Sequence, residues 1–81
     1  MNIYAGNLVA ETTESQIRRI FARFGTVGRI TMDRPQNSNA MHFFCFVEMP
    51  NQNEALEAIQ ELDGRNFAGN RLSIKESGVT A

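Results

Sequence analysis

The chain has 81 residues and a formal net charge of -1. That length holds one domain, near the lower limit at which an apolar core alone supports a fold. A single cysteine and a single histidine exclude a disulfide framework and an all-Cys/His zinc site, and no run is long and apolar enough to span a bilayer.

No basic surplus of the kind that advertises phosphate binding is present. The charges are segregated instead: Arg18, Arg19 and Arg23 fall in one segment, Glu54, Glu57 and Glu61 in another. Patterned sequence begins at once with Asn2 and Ile3, without a secretory signal, and the one cysteine is free. Both features fit a reducing compartment, so the expected location is cytoplasmic.

In chain order, Asn2 to Gly6 reads as a first strand, ended by Gly6-Asn7. Thr13 and Gln16 have capping-box spacing. Ile17, Ile20, Phe21 and Phe24 form the i, i+3, i+4, i+7 stripe of an amphipathic helix over 14–24, which Gly25 is placed to end. Val27 to Asp33 alternates around Ile30 and Met32 as a second strand. A loop follows, with Pro35, Asn37, Ser38 and Asn39. His42 to Met49 is aromatic and β-branched, a third strand broken by Pro50-Asn51.

A second helix over 54–62 carries Ala55, Ala58, Ile59 and Leu62 on one stripe and closes at Asp63-Gly64. Arg71 to Lys75 alternates around Leu72 and Ile74 as a fourth strand. The order is βαββαβ, the ferredoxin-like α+β sandwich: a four-stranded antiparallel sheet with both helices on one face. Residues 1–77 form the domain, and 78–81 are expected to be a short flexible tail. Ile20 and Ile59 are expected in the core, with Cys45 an inert core thiol.

Period-2 alternation assigns the faces of the sheet. Ile3, Ala5, Cys45 and Val47 point to the helices. Asn2, Tyr4, Gly6, His42, Phe44, Phe46 and Glu48 point away. Tyr4, Phe44 and Phe46 are then aromatic rings on an uncovered face, a waste of apolar area unless something covers them. Nucleic-acid bases are suitable covers, because each presents a π-face.

The segment Ile3-Tyr4-Ala5-Gly6-Asn7-Leu8 resembles the six-residue ribonucleoprotein motif of RNA-recognition-motif domains. The segment from His42 to Met49 resembles their eight-residue motif, K/R-G-F/Y-G/A-F-V-x-F/Y. Phe24-Gly25 and Leu62-Asp63-Gly64 extend the likeness over nearly the whole chain, which resembles the small bacterial members of that family. The resemblance implies binding of single-stranded RNA, with Tyr4, Phe44 and Phe46 at the base-stacking positions. His42 stands where the motif has a cation, Phe43 where it has glycine, and Met49 where it has an aromatic.

On that reading Tyr4 and Phe46 stack two bases and Phe44 packs on a sugar or a third. Arg29, Arg34, Arg71 and Lys75 meet phosphates, and His42 is a further candidate for RNA contact. Asn2, Ser73, Glu76 and Ser77 are candidates for base-edge hydrogen bonds. Single-stranded DNA fits the same rings, since stacking is blind to the 2′-hydroxyl. The rival reading is an interaction module, in which the rings bury against a protein or a second copy in a weak homodimer. No nucleophile–base pair, metal site or cofactor motif is apparent, so an enzyme is not expected.

Overall fold

The computed structural model describes residues 1–33 and 42–77. Arg34, the loop that holds it and the expected tail over 78–81 lie outside the described residues. The elements are β1 (Asn2–Val9), α1 (Glu14–Ala22), β2 (Ile30–Asp33), β3 (His42–Glu48), α2 (Gln52–Leu62), β4 (Asn66–Phe67), β5 (Asn70–Arg71) and β6 (Ser73–Glu76). Four of the strands form one sheet in the order β2-β3-β1-β6, and every pairing in it is antiparallel. The ferredoxin-like arrangement is therefore present, with β4 and β5 forming a separate two-stranded ribbon ahead of the last strand.

Both helices cover the same face. Ile17 and Phe21 of α1 and Ala55, Ala58 and Leu62 of α2 share one cluster with Ile3, Ala5, Cys45, Val47 and Ile74 of the sheet. Fully burying an aliphatic side chain stabilises by about 1.5–3 kcal/mol, so this cluster is the main support of so small a domain. Ile20 and Ile59 are a correction to the sequence reading: they are half-buried and pack against the cluster from its margin. A stripe four residues long is wider than the contact the sheet offers.

The helix starts follow their caps. Thr13 and Gln16 form the capping box, with the Gln16 N–H donating to the Thr13 hydroxyl at 3.2 Å and the Thr13 N–H to the Gln16 side chain at 2.9 Å. Asn51 caps α2 by accepting from the Glu54 N–H at 3.0 Å, so that helix starts at Gln52, ahead of the expected residue 54. At its far end α1 stops at Ala22 rather than 24, with Arg23 as its cap. Gly25 then lies against the Glu54 side chain, in space a Cβ would occupy, and the same carboxylate accepts from the Thr26 N–H at 3.2 Å. This contact ties the end of α1 to the start of α2.

Strand boundaries also differ from expectation. β2 starts at Ile30 instead of 27, yet pairing reaches past its start: the Gly28 N–H donates to the Glu48 carbonyl at 2.7 Å and the Glu48 N–H to the Arg29 carbonyl at 2.8 Å. β3 closes at Glu48, one residue short of Met49. The expected fourth strand over 71–75 is divided at Leu72 between β5 and β6. The Asp63 carboxylate accepts from the Ile74 N–H at 3.0 Å, which anchors β6 to the end of α2.

The largest departure is in β1. Gly6-Asn7 does not end the strand, which runs on to Val9. Ala5 pairs with Cys45 but Leu8 pairs with Phe43, so Gly6 and Asn7 together oppose Phe44. This is a β-bulge, and it reverses the alternation so that Leu8 faces the core. Asn7 takes a left-handed backbone, φ +62°, which asparagine tolerates better than most residues. Its side-chain amide donates to the Arg71 carbonyl at 2.7 Å, while the Asn70 amide donates to the Asn7 carbonyl at 3.3 Å. The bulge is thereby joined to the ribbon.

Candidate nucleic-acid interface

Among the described residues no helix covers the second face of the sheet, and the registers lay it out in rows. The central row runs Thr31, Phe46, Tyr4, Lys75 across β2, β3, β1 and β6. On one side Asp33 pairs with Phe44, and Gly6 pairs with Ser73. On the other, Glu48 pairs with Asn2, whose carbonyl accepts from the Ser77 N–H at 2.9 Å.

Tyr4, Phe44 and Phe46 are brought together, each half-buried. The Tyr4 and Phe44 rings stack at 5.6 Å between centroids with 28° between planes. Phe46 meets both edge-on, at 6.0 Å from Tyr4 and 5.6 Å from Phe44. These are favoured aromatic geometries, each worth about 0.5–1.5 kcal/mol. The rings thus hold each other in place.

Gly6 explains the tilt of Tyr4. A Cβ at that position would lie 2.5 Å from the Tyr4 hydroxyl and 2.7 Å from its ring, because the ring lies along its own strand over the glycine. Gly6 is buried beneath it rather than presented on the open face as its alternation implied. Lys75 reaches in from the neighbouring strand, its Nζ 5.1 Å from the Tyr4 ring centroid, within cation–π range.

The other expected contact residues divide. Asn2, Ser73 and Lys75 are exposed and share the open face by register; His42 is exposed on the alternation of Phe44 and Phe46. Arg29 is exposed at the approach to β2. Arg71 is exposed but lies on the ribbon, because the bulge and Leu72 divert the chain there before it rejoins the sheet. Glu76 pairs with Ile3 and so takes the core-side alternation, at the margin of the sheet, rather than that of the rings. Thr31, opposite Phe46, and Glu48, opposite Asn2, are open-face residues for which the residue pattern implied no RNA contact. The isolated glycine within a strand pattern was the available signal for the bulge.

Charge on this face is balanced, Arg29 and Lys75 standing with Asp33 and Glu48. Among the described residues the salt bridges, Arg18–Glu14 at 3.5 Å and Arg65–Glu61 at 4.0 Å, lie on the helices and beside them. Cys45 is fully buried on the core side, and burial pushes its thiol from 9.0 up to about 12, so it stays protonated and unreactive at neutral pH. No group of three or more His, Cys, Asp or Glu placed to hold a metal occurs among the described residues. None of their helices is long and apolar enough to cross a membrane.

The described residues thus form an antiparallel sheet with helices on one face and a ring cluster on the other. The RNA recognition motif family matches residues 3–73, and the chain belongs to that family. It is 35% identical over 77 residues to RbpF and to RbpD of Nostoc sp. strain PCC 7120, both provisionally named RNA-binding proteins. The match takes in 95% of this chain and 73% and 82% of those proteins. The crystal structure of RNA binding protein PG1 superposes with a TM-score of 0.89 at 32% identity, covering 100% of this chain and 98% of that one. The Rna15 domain solved with bound GU RNA shares the fold, with a TM-score of 0.83 at 20% identity over 96% of this chain and 83% of its own.

Proposed function

We propose that this chain binds single-stranded RNA on the open face of its sheet, by stacking bases on Tyr4, Phe46 and Phe44. The observation that carries the reading is the contact of these rings with one another on the face the helices leave bare. Membership of the RNA recognition motif family and the names of the Nostoc relatives support RNA as the ligand. They favour a binding role over catalysis, and RNA over a protein or a second copy on the same rings. Stacking supplies about 1–3 kcal/mol per base and tolerates any base.

Lys75 has two roles in this reading. In the free protein it rests over Tyr4, and on binding it leaves the ring to a base and meets the neighbouring phosphate. Arg29 is the second cation beside the face, and Arg71 is available on the ribbon. Ser73 and Asn2 offer hydrogen bonds to base edges. With so few cations, stacking provides a large share of the affinity.

The experiment is a titration of the isotope-labelled protein with a short single-stranded RNA, followed by chemical shifts. The largest changes are expected at Tyr4, Phe44, Phe46 and Lys75. Changes confined to the helices, or none at low salt, would overturn the proposal. A matched DNA strand in the same titration measures what the 2′-hydroxyl contributes.

A further inference from the structure

We propose that Glu48 and Asn2 read a guanine at one end of the ring platform, an inference that rests on RNA binding at this face. Glu48 lies two residues beyond Phe46 on β3, and Asn2 two residues before Tyr4 on β1, so both share the alternation of the rings. They are direct cross-strand partners, close enough for their side chains to engage one group together. Both are exposed. The Glu48 backbone is fixed by its two bonds to Gly28 and Arg29, and a Cβ on Gly28 would sit 2.7 Å from the Glu48 carboxylate. The absent side chain leaves this carboxylate room beside Gly28, on the side of β3 away from Asn2, and a side-chain rotation brings it back across β3 to a base held at Asn2. Asn2 is fixed by the Ser77 bond to its carbonyl. An open depression of about 440 Å³ adjoins the pair, lined also by Met1, Gln52 and Glu76.

Chemistry decides the occupant. Two carboxylates, Glu48 and Glu76, border this depression against one cation, the Met1 amino group, which donates to the Met49 carbonyl at 2.9 Å; the negative balance disfavours a phosphate, so a base edge is what approaches. A carboxylate only accepts hydrogen bonds. Guanine presents its ring N1–H and its exocyclic amino group side by side, two donors matching two carboxylate oxygens, with a carbonyl beyond them for the Asn2 amide to donate to. Adenine and cytosine each offer one donor beside a ring acceptor. Uracil flanks its single N–H with two carbonyls, which a carboxylate repels. A bidentate pair of this kind discriminates strongly among bases.

The test measures binding of a uridine octamer and of the same octamer carrying one guanosine or one inosine, for the wild type, Glu48→Gln and Asn2→Ala. The guanosine octamer should bind wild type about tenfold tighter than the uridine octamer. Inosine, which lacks the exocyclic amino group, should fall between them. Glutamine offers one donor and one acceptor, the pattern uracil matches, so Glu48→Gln should erase the guanosine preference and tighten binding to uridine. Asn2→Ala should reduce the preference several-fold. Thermal melts of both variants should match wild type, since both side chains are exposed. If wild type binds all three octamers equally, or Glu48→Gln keeps the preference, the guanine assignment is overturned while RNA binding stands. If no octamer binds at low salt, RNA binding at this face fails, and the guanine assignment with it.

Discussion

The two faces of this sheet both carry apolar side chains and differ in kind. On the helix side Ile3, Ala5, Cys45, Val47 and Ile74 are at most 2% exposed. On the other side Tyr4, Phe44 and Phe46 are half-buried and pack against one another. Aliphatic side chains interlock and fill volume, which suits a closed core. Planar rings leave a π-face toward solvent, which suits a surface that another planar group will cover. The same alternation therefore sends stability to one side of each strand and, in the proposed function, recognition to the other.

Neighbouring residues on β1 give the sharpest form of this contrast. Ile3→Ala should cost about 2–5 kcal/mol of stability, enough to unfold so small a domain, as a thermal or urea melt would show. Cys45 extends the comparison to pH. Its thiol is held protonated in the fold, whereas the unfolded thiol ionises above about pH 9. The unfolded state then binds fewer protons than the folded state, so stability is intact below pH 9 and falls as pH rises toward 12. This one group contributes a slope of about 1.4 kcal/mol per pH unit in that window. Urea melts between pH 8 and 10.5 should show a shallower decline in Cys45→Ala than in wild type; equal slopes would place the thiol in water.

Open-face substitutions should divide the two properties. Phe46→Ala is expected to weaken RNA binding by about 1–3 kcal/mol while the protein keeps its fold. Loss of folding without loss of affinity per folded molecule would erase the distinction between the faces. Ile20→Ala, at the margin of the core, should cost about 1 kcal/mol, against about 2–5 for Ile17→Ala on the same helix. Equal losses would mean that the α1 stripe is buried across its full width.

The smallest effect concerns charge. Log affinity falls with log salt by about 0.7 for each phosphate neutralised on a single strand. With Arg29 and Lys75 the described cations beside the platform, the wild-type slope should be shallow. His42→Arg places a permanent cation next to Phe44 and should steepen the slope by up to about 0.7 while tightening binding. A steep wild-type slope in a salt titration would show that phosphates, not rings, carry the affinity.

The sequence by itself determined the order of the elements, both helix stripes, the Thr13 capping box and the placing of Tyr4, Phe44 and Phe46 away from the helices. Each is a local property, because helix and strand periodicity fix which neighbours share a face within one segment. Tertiary structure decided the rest. Pairing with β3 turned Gly6-Asn7 from a strand end into a bulge, which carried Leu8 into the core and bound the strand to a ribbon the sequence did not reveal. That ribbon took Arg71 off the main sheet, and the register set Glu76 on the side of Ile3. The width of the sheet left Ile20 and Ile59 at the margin of the core. These features depend on which residues meet across long stretches of chain, and a repeat read along one segment carries no information about the partner that will face it.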